Sequence, residues 1–365
     1  MKFLRTLFSG KEKPVNSYAD FWNWFQKEAN FFYQVVKNRG DIEKFFFRPL
    51  THKLDELRKG FFFVTGMYDD NTAELIFTAE GNTSNIAFVE ELVGAAPPVA
   101  GWRFVAHKPA LDIKEVSIGI NGLVFSEDKL SFYSIDTPGY PDEINIAVVY
   151  EDFTEDNKAT VTNGVFLFLD NYLGELDFVN TVDNLIVINK AEAKQPLIPI
   201  GKLRDFLTWR QKEFVEKYEG ERYDTENDGH SVMEAQLESG DPLLAVINTE
   251  LLNWDQKASH PWVAVFTARY NGSNNKGLPE TDDYNRLDEM EQQLLAELKD
   301  TDGCLYVGRQ TASNEREIYF ACKDFRRPSK IFYTIQQQYA AFFEAEYVIY
   351  KDKYWKSFER FMEES

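Results

Sequence analysis

The stretch WVAVFTARYNGSNNKGLPETDDYNRLDEMEQQLLAELKD, residues 262–300, decides the fold. Its opening, Trp262–Tyr270, is rich in β-branched and aromatic side chains and alternates in part, which predicts a strand. After a loop at Asn271–Lys276, Thr281 or Asp282 can cap a helix whose Leu287, Met290, Leu294 and Leu298 share one 3.6-residue stripe. Beyond it, Cys304–Arg309 and Glu315–Cys322 read as a hairpin around Ala312-Ser313-Asn314. Ser329 can cap a second helix carrying Ile331, Ile335, Tyr339 and Phe342, and Glu346–Tyr350 reads as a closing strand. The order β-α-β-β-α-β is that of a ferredoxin-like sandwich, two helices on one face of four antiparallel strands. One apolar stripe per helix is what that packing needs.

Upstream, Val232–Leu237 and Leu243–Asn248 flank Gly240-Asp241 and predict a β-hairpin preceding the sandwich. Ser17–Lys37 reads as a helix with Phe21, Phe25, Phe32 and Val36 on one stripe. A second helix starts at Asp41, and Pro49 should kink or divide it. Phe61–Met67 and Ala73–Thr78 read as a hairpin, Phe88–Ala96 as a helix and Trp102–Ala106 as a strand. Further strands are expected at Glu115–Ile120, Lys129–Ile135, Glu143–Tyr150 and Leu185–Asn189, with helices at Val161–Leu173 and Lys202–Tyr218. The fold class is α+β with two domains. Residues 1–200 form an antiparallel sheet with helices and an N-terminal helical pair, 201–224 a helical linker, and 225–365 the ferredoxin-like domain.

Charge bounds the partners. Residues before Thr225 include 35 acidic and 25 basic side chains, and those from it onward 25 and 15, so each part carries −10 of the formal −20. So negative a surface repels phosphate backbones, and the clusters Lys11–Lys13 and Arg326–Arg327 are too small to override it. Direct nucleic-acid binding is disfavoured, and a protein with a basic surface is the favoured partner. The opening MKFLRTLF is interrupted by Arg5 and too short for a signal sequence, and no stretch reaches membrane-span length. Two cysteines, Cys304 and Cys322, make no disulfide framework and point to a reducing, cytoplasmic setting. If Arg309 opposes Glu315, Cys304 lies diagonal to Cys322, beyond easy disulfide reach, and both thiols stay reduced.

Chemistry-bearing motifs are sparse. His52, His107, His230 and His260 show no ligand spacing with each other or with the cysteines, so no metal is called for. Phosphate-loop, dinucleotide and nucleophile-elbow signatures are lacking, and no cofactor follows. The pairs Asp282-Asp283 and Asp288-Glu289 fall in the first turns of a helix, where negative charge suits the helix dipole. Arg309, Arg316, Trp254, Lys257 and Trp262 remain as a candidate partner-binding group, since Arg and Trp are the residues that anchor interfaces.

Gly240-Asp-Pro242, Asn248, Leu251-Leu252, Trp254, Lys257, Pro261-Trp262, Gly277-Leu-Pro279, Tyr306-Val-Gly308-Arg309, Arg316–Phe320 and Tyr347–Trp355 follow one another as in a bacterial family of unknown function, number 695. Residues 225–358 resemble that family, which is grouped with the B-type regulators of ribonuclease E activity. The resemblance implies a small acidic ferredoxin-like fold and, more distantly, binding and restraint of a ribonuclease. The resulting expectation is a non-enzymatic protein-binding or regulatory module. The alternative is a hydrolase or transferase using acidic and tyrosine residues at the interdomain cleft.

Overall fold

The structure, a computed structural model, describes residues 14–362. The MKFLRTLF segment and its Lys11–Lys13 cluster lie outside the described residues. The chain divides into two compact units, Met1–Lys108 and Pro109–Ser365. The division falls in the extended segment after residue 106, not at 201–224, where the sequence reading puts a linker.

In the first unit, α1 (Tyr18–Lys37) is capped by Ser17, whose hydroxyl accepts from the Asp20 amide at 3.1 Å. A π turn at Glu43–Phe47 leads into α2 (Arg48–Leu57). The backbone stays helical through Phe47 and Arg48, so the division or kink predicted at Pro49 takes the form of a π turn immediately before the proline. Then come β1 (Phe62–Met67), β2 (Ala73–Thr78), α3 (Thr83–Gly94) and β3 (Trp102–Ala106). β1 and β2 pair antiparallel, but β2 and β3 pair parallel because α3 carries the chain back to the same end of the sheet. The core beneath is aromatic: Phe21, Phe25, Phe32, Phe46 and Phe77 are buried, and Trp102 stacks on Phe46 at 5.8 Å.

The second unit opens with β4 (Ile118–Ile120) and β5 (Leu123–Phe125), a small hairpin turning at Asn121-Gly122, both at positive φ. Asn-Gly between apolar residues is a strong hairpin signal that a single predicted strand overlooks. β6 (Leu130–Ile135), β7 (Asn145–Tyr150), α4 (Lys158–Leu173), α5 (Glu175–Thr181), β8 (Asn184–Ile188), β9 (Ile198–Pro199) and α6 (Leu203–Tyr218) follow. β7 and β8 are parallel, joined through α4 and α5, in a four-stranded sheet ordered β8-β7-β6-β9. Where a single antiparallel sheet is expected for residues 1–200, the described residues form three separate sheets, and the helical crossovers are the reason two pairings run parallel. Leu203 and Leu207 pack into the same core as Phe132, Val148 and Phe168, so α6 is a structural layer and not a spacer.

The remaining elements are β10 (His230–Gln236), β11 (Pro242–Asn248), α7 (Thr249–Leu252), β12 (Trp262–Arg269), α8 (Thr281–Glu297), β13 (Cys304–Ala312), β14 (Glu315–Cys322), α9 (Arg326–Tyr339) and β15 (Glu344–Lys351). The strands make one antiparallel sheet, ordered β10-β11-β13-β14-β12-β15. α8 carries no side-chain cap; its cap position is Glu280, one residue before the expected Thr281 and two before Asp282.

The β13–β14 register departs from expectation. The turn is the two-residue Ser313-Asn314, both at positive φ, and Ala312 opposes Glu315. A bulge between Tyr306 and Gly308 then brings Cys304 directly opposite Cys322. Gly308 sits at φ +144, and a Cβ there would lie 2.3 Å from the Val246 carbonyl oxygen on neighbouring β11. Gly308→Ala should therefore lower the unfolding free energy by about 3 kcal/mol, through strain and forced strand separation. Gly119→Ala, where a Cβ meets nothing within 4 Å, should change it little. Urea titrations of the two variants check this, and equal midpoints would contradict the account of the bulge.

Candidate functional site

The buried face of α8 carries one side chain that apolar periodicity does not predict. Glu291 lies one turn after Leu287, is 2 % exposed, and points its carboxylate into the sheet. Tyr306 donates to its Oε1 at 2.5 Å, and Arg309 donates to its Oε2 at 2.7 Å. Arg316, 1 % exposed, reaches the same Oε2 at 3.4 Å and Thr311 Oγ1 at 3.2 Å. Tyr306 and Arg309 are three apart and would face opposite sides of a regular strand. The bulge at Val307 resets the alternation, so both meet Glu291 while Val307 joins the core on the other face.

Two guanidinium groups share the buried carboxylate, and Arg309, a fifth exposed, also reaches Asp288 at 3.5 Å, whereas Arg316 is fully buried. Burial and the neighbouring Arg309 charge lower the pKa of Arg316, while burial and Glu291 drive the Tyr306 hydroxyl far above its ordinary value. The network reaches the surface at both ends. At one, Arg316 lies under the exposed ring of Tyr284 at 5.3 Å, and Arg286 lies over exposed Phe342 at 5.0 Å. At the other, Tyr306 floors a groove of about 910 Å³, with Leu295 and Leu298 as apolar lining and Arg222, Asp224 and Lys299 at its walls.

The sequence-predicted residues separate into two groups. Arg309 and Arg316 come together on Glu291. Trp254, Lys257 and Trp262 lie apart from them and are not jointly exposed. Trp262 is buried against Phe325 at 4.7 Å, so it is core, not an interface anchor. Trp254 is half-buried between Tyr223 at 5.0 Å and His260 at 5.5 Å, and burial lowers the pKa of half-buried Lys257. His260, 1 % exposed, has Nδ1 2.8 Å from Ser259 Oγ. That hydroxyl gives its proton to the Gln256 carbonyl at 2.7 Å, so the imidazole donates from Nδ1, and Nε2 has no hydrogen-bond partner among the described residues. Burial, then the Lys323 and Arg222 charges, depress its pKa to about 3.

A second polar cluster joins residues 109–224 to the six-stranded part of the same unit, and motif reading offers no sign of it. Asp183 receives Lys351 and Lys353, each at 2.8 Å, and the Ile144 amide at 2.6 Å. Asp142 receives Tyr354 at 2.6 Å, Tyr218 at 2.7 Å and Lys217 at 2.8 Å. Burial raises the pKa of Asp142, but these three donors together hold it below the usual carboxylate range. Burial lowers Lys351 to about 8 despite Asp183. Strand alternation in β15 hints only that Lys351 is half-covered.

Residues 237–362 match the model of a family of unknown function (DUF695). The match contains Glu291 and all its partners, but not the Arg222–Glu226 wall of the groove or Asp142 and Asp183. No curated protein and no solved structure matches the chain. Among the described residues no group of three His, Cys, Asp or Glu side chains is placed to hold a metal ion, and no helix is long and apolar enough to cross a membrane.

Glu291→Gln should destabilise the second unit by about 3 kcal/mol in urea unfolding, because buried Arg316 loses its carboxylate partner while Arg309 keeps only Asp288. Adding Arg316→Met should recover part of that loss, and strictly additive effects would show that the groups do not interact. His260 gives a pH signature. Its folded pKa lies below the unfolded value of about 6.5, so the unfolded chain takes up the proton first. Stability should be full above pH 6.5 and fall toward pH 3 by up to about 1.4 kcal/mol per unit. His260→Gln should flatten that slope; parallel profiles would mean the imidazole protonates in place.

Proposed function

We propose that the chain is a non-enzymatic, cytoplasmic protein-binding module that takes a partner with a basic surface through its C-terminal part. The observation that carries this is how folding redistributes charge. Among the described residues from 225 onward, Arg316 and Lys353 are buried and the Lys351 side chain is 10 % exposed, against one buried carboxylate, Glu291. The exposed surface is therefore more negative than the formal −10 of the segment.

The binding face in this reading is the ridge of Tyr284 and Phe342, 45 % and 55 % exposed, with the exposed acids Asp282, Glu289 and Glu344 on the same elements or next to them. Aromatic rings beside carboxylates suit Lys and Arg side chains, by cation–π contact and ion pairing together. Arg309 and Arg316 then act from behind, Arg316 holding the Tyr284 ring from below. The strand order β13-β14-β12-β15, with α8 and α9 as crossovers, supports reading this part as ferredoxin-like. The family resemblance makes a ribonuclease under restraint the first partner to try.

A second reading, a hydrolase or transferase, is favoured by the Asp142–Tyr218–Tyr354 group, whose acidic and tyrosine side chains converge within hydrogen-bond distance.

The test is affinity capture from the source-cell lysate and from purified ribonuclease E, using the full chain and its Phe342→Ala/Glu289→Gln variant. One basic protein should be retained at low salt, released as ionic strength shortens the screening length, and recovered poorly by the variant. Retention indifferent to both salt and substitution, or no retained protein, would remove the proposal.

A further inference from the structure

The corrected hairpin register places the two cysteine sulfurs together. Cys304 and Cys322 are direct cross-strand partners, both buried. The amides around them bond elsewhere: Lys323 donates to the Gly303 carbonyl at 2.8 Å, and Cys304 to that of Lys299 at 3.1 Å. Cys304 and Cys322 therefore form a non-hydrogen-bonded pair, the closer of the two antiparallel spacings, with Cα atoms roughly 4.5 Å apart. Disulfides span Cα separations of about 4.4–6.8 Å, so the pair can be bridged with little backbone movement.

The geometry points to a reversible intramolecular disulfide between Cys304 and Cys322, formed when the chain meets a peroxide. One sulfur attacks the peroxide O–O bond, giving a sulfenic acid and water. The second sulfur displaces the sulfenic oxygen as a second water, and the S–S bond forms. Two thiols and one hydrogen peroxide thus yield one disulfide and two waters, the sulfurs supplying the two electrons that the peroxide gains. A dithiol reductant reverses the step by exchange.

Both sulfurs are buried, at 1 % and 0 % exposure, and burial raises the Cys322 thiol well above its ordinary pKa, so reaction waits on local opening. The pair's position supplies that opening. Cys304 is the first residue of β13 and Cys322 the last of β14, beside Gly303 at φ +75, so fraying of one strand end presents the sulfurs without unfolding the sheet. Cys304 is also two residues from Tyr306, which floors the groove and donates to Glu291. The bridge would pin the strand end that carries the groove floor.

The experiment exposes the native full-length chain to hydrogen peroxide, alkylates it under denaturing conditions, and reads intact mass and peptide map. Both cysteines should be lost to alkylation, the peptides containing Cys304 and Cys322 should appear linked within one chain, and dithiothreitol should restore both alkylations. Full alkylation after peroxide, sulfinic acid at one cysteine, or disulfide-linked dimers would each overturn the inference. In Cys322→Ser the remaining thiol should instead form sulfenic acid or dimers; should that variant fail to fold, the wild-type result decides alone.

Discussion

Tyr306 and Arg309 are an odd number of positions apart on one strand and still meet on one carboxylate, and much of the second unit is arranged around that constraint. A regular strand would send one of them into the opposite core. The bulge at Val307 allows both to turn toward α8, and Gly308 allows the bulge, because β11 runs too close for any side chain there. Glu291 then has three donors, and α8 is held to β13 and β14 by hydrogen bonds as well as by Leu287, Met290 and Leu294. The same register brings the cysteines opposite each other. One inserted residue sets the polar network, the groove floor and the sulfur pair.

Buried charge of this kind is weak evidence for stability, since desolvation offsets most of the attraction. Its effect here is better described as specification. A carboxylate with two guanidinium groups and a phenol tolerates one helix rotation and one strand register, whereas an apolar stripe alone tolerates several. Asp183 plays the matching part at the other end of the sheet, where Lys351 and Lys353 on β15 and just beyond it tie the six-stranded part to the loops flanking β7 and β8. Both clusters bury cations together with a carboxylate, Arg316 with Glu291 and Lys353 with Asp183.

Much of the secondary structure was legible residue by residue. Ser17 before the Phe21–Phe25–Phe32 stripe, the β-rich run at Trp262 and the Leu287–Met290–Leu294 stripe all carry local signals, and local signals survive folding. The exceptions are local too. Asn121-Gly122 was a readable turn, and the short α5 and α7 lie below the length at which periodicity speaks. Of the candidate site, Arg309 and Arg316 were visible as candidate binding residues, whereas Glu291 was not, since the Leu287–Met290–Leu294 stripe runs without it. That they belong together was not visible, because their meeting depends on the bulge.

What the sequence alone determined is the alternation of strands and helices, the charge of the exterior and the residue types available for binding, since each follows from spacing and composition. The tertiary structure decided the rest. Parallel pairing of β2 with β3 and of β7 with β8 depends on where helices return the chain, and the place of α6 depends on which core needs a layer. The β13–β14 register was settled by the close approach of a third strand, β11, to Gly308. A sequence read along one dimension has no term for the distance to a neighbouring strand, and in this chain that distance turned two distant cysteines into a pair.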